Sequence, residues 1–291
     1  MLGYEATDSL MAETPARSRE WSIVFESYGV CVKLRCSDPD ILKEAERTAR
    51  KALVGRLEIL ETGDAPHLFE ITSDEGGPLY LFKDGEQISF DARKQRFFKF
   101  FDSMLRITVA EHAVDSVFIH AGVVGWKGRA ILLPASSFQG KTTLVGELVR
   151  AGAEYYSDEY AVLDVGGLVQ SFPRDLSVRS LRGLEVLETE VPVESFGGRV
   201  GTVPIPVGAV VLTEYVEGGH WKPEVMSTGR GLLEVIPHTI PRNFNSEFAL
   251  KVLNTSVSDA IILKSPRGEA AEFAFKLLSY LDNYFSEANT T

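Results

Sequence analysis

The sequence predicts an α/β protein in two unequal parts, a smaller mixed α+β N-terminal part and a larger part of many apolar strands with a helix behind a glycine-containing loop and another at the end. Three observations carry this. Strand-length apolar runs recur after Ala113, in VFIHAGVV, RAILLPA, AEYYS, YAVLDV, LVQSF, VGAVVLTEY and AIILK. RAILLPA leads into a glycine-containing loop and then into TTLVGELVRAG, which has helical periodicity and stops at Gly152. The composition, 44% hydrophobic and 24% charged over 291 residues, suits a globular chain that buries a full core without staples.

Residues 1–20 are polar, hold no sustained period and read as a disordered tail. WSIVFESYGVCVKLRC reads as two strands meeting around Ser27 to Gly29. A helix follows, capped by Asp38 with Pro39 in its first turn, and Ile41, Leu42, Ala45, Ala49, Ala52 and Leu53 fall at core spacing. HLFEIT and PLYLF are short strands. From Asp91 to His112 the pattern is helical, with Phe97, Phe101, Met104, Leu105 and Thr108 on one stripe. Gly125 to Gly128 joins the next two strands as a hairpin. A last helix runs from Glu269 to about Phe285, with Ala274, Leu277, Leu278 and Leu281 facing a core. The division is thus a tail at 1–20, an N-terminal α+β domain at 21–113 and a nucleotide-binding domain at 114–291.

Charge and cysteine usage exclude several functions. The 30 basic and 41 acidic side chains give a net charge of -11, a field that repels a phosphate backbone, so nucleic acid is not expected as a partner. Cys31 and Cys36 lie five residues apart in a strand-like stretch, on opposite faces, and suit neither a metal pair nor a disulfide. No apolar run reaches the ~20 residues that span a bilayer, and the start lacks a basic segment followed by a hydrophobic one. The expectation is a cytoplasmic protein without a membrane partner.

The segment Ala135-Ser136-Ser137-Phe138-Gln139-Gly140-Lys141-Thr142-Thr143 stands between an apolar strand and an amphipathic helix, the setting of a Walker A phosphate loop. Backbone N–H groups of such a loop and of the helix start form an anion cradle. Lys141 adds a positive charge for the outer phosphates of ATP, and the Thr142 hydroxyl is a ligand for Mg2+. Ala135 stands where the pattern has glycine, and Phe138 where many such loops have one. Phosphoryl transfer also needs a carboxylate to orient the attacking hydroxyl and take its proton. Asp158 follows the loop's helix by one strand, at the sheet edge where the phosphates lie, and is the candidate base. Glu159 is a candidate metal contact, and both can serve only if the backbone turns there, since neighbours on a strand point to opposite faces.

Three segments in this order resemble the catalytic domain of the HPr kinase/phosphorylase family and, more loosely, the ATP-dependent phosphoenolpyruvate carboxykinases. They are Phe118-Ile119-His120-Ala121-Gly122-Val123, the loop from Ala135 to Thr142, and Tyr156-Ser157-Asp158-Glu159-Tyr160-Ala161-Val162-Leu163. Glu159 replaces the family's usual second aspartate. The resemblance implies a P-loop core over roughly residues 115 to 285, and it implies that His120 assists Asp158 or binds the transferring phosphate. Ser180-Leu181-Arg182-Gly183-Leu184 lacks the acidic residue of the family's second signature, so phosphorolysis is not expected. The N-terminal part does not look like that of the bacterial enzyme, so HPr itself is not the expected acceptor.

The function expected is an ATP- and Mg2+-dependent kinase acting on a hydroxyl of a protein, peptide or small molecule. The alternatives are a non-catalytic ATP-binding regulator and, further off, a carboxykinase-like lyase. Arg174, Arg179, Arg182, Arg199 and Arg242 are candidates to clamp phosphate or substrate. Ser195 to Gly201, rich in glycine, reads as a loop over the site. Self-association is left open.

Overall fold

A computed structural model describes residues 21–61, 63, 65–73, 77–135, 140–182, 185–240 and 246–288, with side chains described for all of these except 179–188 and 288. The tail expected at 1–20 lies outside the described residues. The rest is a mixed α/β structure built on two large sheets.

The first sheet has the order β3-β1-β2-β4-β5-β6, with β1 Trp21–Ser27, β2 Val30–Cys36, β3 Glu58–Leu60, β4 His67–Ser73, β5 Leu79–Lys83 and β6 Glu86–Asp91. Two helices belong to it, α1 Pro39–Ala52 and α2 Lys94–His112. Asp38 caps α1 by accepting from the N–H groups of Asp40 and Ile41, and Pro39 opens it, as expected. α2 starts three residues later than its periodicity suggests, because Glu86–Asp91 is held as a strand against β5. Cys31 and Cys36 are free thiols, the second buried.

The second sheet has the order β11-β10-β7-β8-β14-β16-β15, with β9 also paired to β7. Its strands are β7 Ser116–Trp126, β8 Arg129–Pro134, β9 Glu154–Ser157, β10 Tyr160–Asp164, β11 Leu168–Gln170, β14 Ile205–Tyr215, β15 Glu224–Met226 and β16 Ile261–Arg267. A separate hairpin, β12 Leu176–Arg182 and β13 Glu185–Val191, stands beside it. β8, β14 and β16 are mutually parallel, so their C-terminal ends share one edge. α3 Lys141–Arg150 and α6 Ala270–Ala288 cover one face, and α4 Thr228–Val235 and α5 Ser246–Val257 cover the other.

β7 has a separate role on each face. Val117, Ile119, Ala121 and Val123 point into the core beneath α5. On the other face, Phe118 enters the core of the N-terminal sheet, His120 faces a cleft, and Val124 enters the core under α3 and α6. Between His120 and Val124 lies Gly122, where a Cβ would come within 2.6 Å of Val145 and 3.2 Å of Lys141. The missing side chain lets α3 and the Lys141 stem lie directly on the strand. The expected boundary near residue 113 therefore divides the two sheets but not the packing. Phe118, Tyr160 and Phe172 are buried with Phe25, Phe69 and Phe101 in one cluster.

Ser195 to Gly201, expected as a loop over the site, contributes Phe196 to the cleft wall and is tied down. The Arg199 carbonyl accepts from the Tyr155 N–H, and the Gly201 N–H donates to the Tyr155 carbonyl. Gly198 and Gly201 lie against Val149 and Tyr156 too closely for any side chain. β3, β6, β12, β13, β15, α4 and α5 have no counterpart among the expected elements. Most are short or edge elements whose periodicity is weak, and pairing fixes the strands among them.

Phe118 meets Tyr28, Tyr160 and Phe172 edge-on at centroid distances of 4.9, 5.8 and 6.2 Å. Phe118→Ala is expected to lower unfolding stability by about 3–5 kcal/mol, the usual cost of a buried Phe truncation. Urea denaturation measures it, and a loss below ~1 kcal/mol would show that the N-terminal sheet does not depend on docking against β7.

Candidate functional site

β8 ends at Pro134 and α3 begins at Lys141. Gly140 holds the N-cap position at φ 70°, a left-handed conformation in which a side chain is strained. The residues of that first turn line a cleft of ≈ 2290 Å³, together with His120, Gly140 and Asp158. Ser136, Ser137, Phe138 and Gln139 of the expected phosphate loop lie outside the described residues, as does Arg242. Ala135 is buried, and its carbonyl accepts from His120 Nδ1 at 2.8 Å.

That bond fixes the imidazole. With the proton on Nδ1, Nε2 is left without one, and Lys141 Nζ lies beside the ring, 3.4 Å from Nδ1 and 3.3 Å from Nε2. Burial first, then the neighbouring Lys141 charge, hold the His120 pKa down at about 4 against the pull of the Ala135 carbonyl. The ring is therefore neutral near pH 7. Lys141 is in turn pulled down to about 8 by burial, only partly offset by the Asp158 carboxylate. An ammonium beside a neutral imidazole in a buried setting favours a bound anion.

Asp158 sits opposite. Its Oδ2 accepts from the Thr142 hydroxyl at 3.0 Å, which brings two of the expected site residues together. Burial raises its pKa from the ordinary aspartate value, against the Thr142 hydroxyl, the Lys141 charge, the Ser177 N–H and Arg174. Ser157 pairs with Val123 and Tyr160 with His120 in one register along β7, after a one-residue shift within β9 between Tyr155 and Ser157. Between them Asp158 and Glu159 leave the strand pairing, with the Glu159 carbonyl still accepting from the Ala121 N–H at 3.1 Å. Ser157 Oγ accepts from the N–H groups of Glu159 at 3.1 Å and Tyr160 at 3.0 Å, and this small turn replaces the strand.

The turn sends the two carboxylates to different partners. Glu159, expected as a metal contact beside Thr142, is directed away from it and paired with Arg106 and with Arg174, whose Nε lies 3.5 Å away. The ring closes through Asp102, which accepts from Arg106 Nε at 2.9 Å and from Arg174 at 2.9 and 3.2 Å. Arg174 also donates to the carbonyl of Ala52 at the end of α1. Two arginines and two carboxylates thus join α1 and α2 to the residue next to Asp158.

Of the other arginines expected to clamp phosphate, Arg199 pairs with Glu154 on the surface. The side chains of Arg179 and Arg182 lie outside the described ones. Arg267, absent from that set, ends β16 with its side chain buried and NH2 3.3 Å from the Gly140 carbonyl. Burial lowers its pKa. Its place at the end of an apolar parallel strand was the available signal. For Asp102 and Arg106 the signal was their four-residue spacing beside the phenylalanine stripe.

Mg2+ takes oxygen ligands and is usually held by one or two protein groups together with substrate phosphates. The Thr142 hydroxyl and the Asp158 carboxylate fit that donor set. Among the described residues no three His, Cys, Asp or Glu side chains cluster as a metal cage, and no helix is long and apolar enough to cross a membrane. No protein-family model matches the chain, and comparison with curated proteins finds no match.

Lys141 gives a direct measurement. In the unfolded chain its pKa returns to the ordinary 10.5, so between pH 8 and 10.5 the folded state binds fewer protons and this residue's contribution to stability rises with pH. Nζ-labelled lysine NMR is expected to show one group titrating near pH 8, lost in Lys141→Arg, and Lys141→Met is expected to remove the alkaline gain in stability. A full set of lysines titrating above about pH 10 would contradict the burial of this ammonium.

Proposed function

We propose that the chain is an ATP-dependent phosphotransferase of the HPr-kinase-like type, acting on a hydroxyl. The observation that carries this reading is one cleft that joins a buried, under-compensated lysine in the first turn of a helix to a hydroxyl–carboxylate pair. The strand–loop–helix setting of Gly140-Lys141-Thr142 supports a triphosphate as the anion.

The first-turn N–H groups of α3 and Lys141 would hold the phosphates, and the Thr142 hydroxyl would hold Mg2+ beside them. Bound there, Mg2+ and ATP would supply the phosphoryl group and the charge that offsets what develops during transfer. Lys141 gains full protonation beside an anion and donates to it. His120, neutral and fixed by Ala135, packs beside the Lys141 ammonium without adding a charge that would compete for the phosphates. Asp158 orients the acceptor hydroxyl and takes its proton, a role suited to a carboxylate whose pKa is raised by burial. Glu159 is committed to Arg106 and Arg174 and steadies the turn that presents Asp158.

Lys141→Ala is expected to weaken Mg·ATP binding about tenfold or more in calorimetry, by removing a charge-assisted contact. In the wild type, affinity should fall above pH 8 by up to about tenfold per pH unit as Lys141 loses its proton. Equal affinity in wild type and mutant would reject the phosphate site. Asp158→Asn is expected to slow single-turnover transfer about 10²-fold or more. If nucleotide affinity stays near wild type, Asp158 acts on the acceptor; a joint loss of Mg2+-dependent affinity assigns it to the metal. Tight ATP binding with no transfer to any hydroxyl would make the chain a nucleotide-binding regulator.

A further inference from the structure

If the phosphates lie at Lys141, the nucleoside must leave the cradle on one flank. The flank formed by β7, β9 and β10 is taken by His120, Asp158 and the Arg106–Glu159–Arg174 ring, the groups that face the transferred phosphoryl and its acceptor. On the other side of β8 lie the parallel strands β14 and β16, whose C-terminal ends reach the same edge. The register pairs Val210 with Leu132, so β14 runs on past the last residue of β8 and ends near the start of α3 at Tyr215.

Two side chains converge there. Arg267, paired across the ladder with Tyr215, reaches the Gly140 carbonyl with NH2 at 3.3 Å. Its guanidinium carbon lies 5.5 Å from the centroid of the Tyr215 ring. Tyr215 is 50% exposed, so part of its side chain is open to a ligand, and Val216 beside it is 45% exposed. The backbone carrying the ring is held on both sides: the Val216 N–H donates to the Arg267 carbonyl and the Gly219 N–H to that of Val216, each at 2.8 Å. An aromatic ring backed by a guanidinium, fixed in place and one residue contact from Gly140, is the chemistry that stacks a purine or pyrimidine.

We propose that Tyr215, backed by Arg267, is the nucleobase platform of this site. The ligand class is the base of a nucleoside triphosphate, held by stacking and therefore with little choice among bases. This rests on the phosphate site proposed above, and the test separates the two. Binding of ATP and of inorganic tripolyphosphate, each with Mg2+, is measured by calorimetry for the wild type, Tyr215→Ala, Tyr215→Phe and Lys141→Ala. Tyr215 is a half-exposed strand-end residue, so its variants are expected to fold, which thermal unfolding checks.

The expected result is that Tyr215→Ala weakens ATP about tenfold or more while leaving tripolyphosphate unchanged, and that Tyr215→Phe binds both as the wild type does. ATP affinity unchanged in Tyr215→Ala overturns the platform and leaves the phosphate site standing. Equal loss of both ligands also overturns it, since Tyr215 would then act on the phosphate cradle. If Lys141→Ala binds tripolyphosphate as tightly as the wild type, the phosphate site fails and the platform falls with it.

Discussion

Burial of β7 on both of its faces organises everything around it. A strand sends alternate side chains to opposite faces, and this one has a separate partner at nearly every position on both. One face supplies only small and branched apolar groups to a single core. The other face carries in turn an aromatic ring, an imidazole, a missing side chain and a valine. Those four positions set where the N-terminal sheet docks, where the cleft opens, how closely α3 approaches and where the α3 and α6 core begins. Because the side-chain period is two, a shift of one residue would exchange every one of these partners. The register with β8 and β10 is fixed from both sides, so the site inherits its geometry from strand pairing rather than from loops.

Burial then sets the electrostatics. Lys141, His120 and Asp158 line one cleft, and each has its charged form disfavoured by loss of water. The imidazole answers by staying neutral. Lysine and aspartate keep partial compensation from each other, and a polyanion would restore the lysine fully. Burial costs the empty protein stability, and the same burial strengthens every contact made to a ligand that enters. The charged ring of Asp102, Arg106, Glu159 and Arg174 differs, because its charges are matched within the protein. It holds α2 and the end of α1 against the broken strand that carries Asp158, so the N-terminal sheet and its helices form one wall of the cleft rather than an appendage.

Much of the fold was legible in the sequence wherever a local pattern was strong. Asp38-Pro39 marked the start of α1, the alternation in WSIVFES and VCVKLRC marked β1 and β2, and Gly152 marked the end of α3. The start of α3 was legible through Gly140-Lys141-Thr142, because a glycine able to take a left-handed conformation stands directly before a helical pattern. β3, β6, β15 and the hairpin β12–β13 were not, since short strands at edges owe their existence to a partner strand. The same holds for Ser195 to Gly201, whose glycines serve close contact with Tyr156 and Val149 where turn composition suggested an open loop.

Local pattern was enough to establish that apolar strands recur after Ala113, that a lysine and a threonine open a helix behind one of them, and that two adjacent carboxylates follow that helix. Periodicity, capping and the alternation of faces set all of these. How the carboxylates divide emerged only from the folded chain, where the Ser157 turn sends Asp158 to Thr142 and Glu159 to two arginines from distant segments. Folding likewise places His120 against the Ala135 backbone and brings Arg267 to Gly140 across 127 residues of chain. Such contacts depend on which strand ends share a sheet edge. That is fixed by pairing between segments far apart in sequence, where no local pattern reaches.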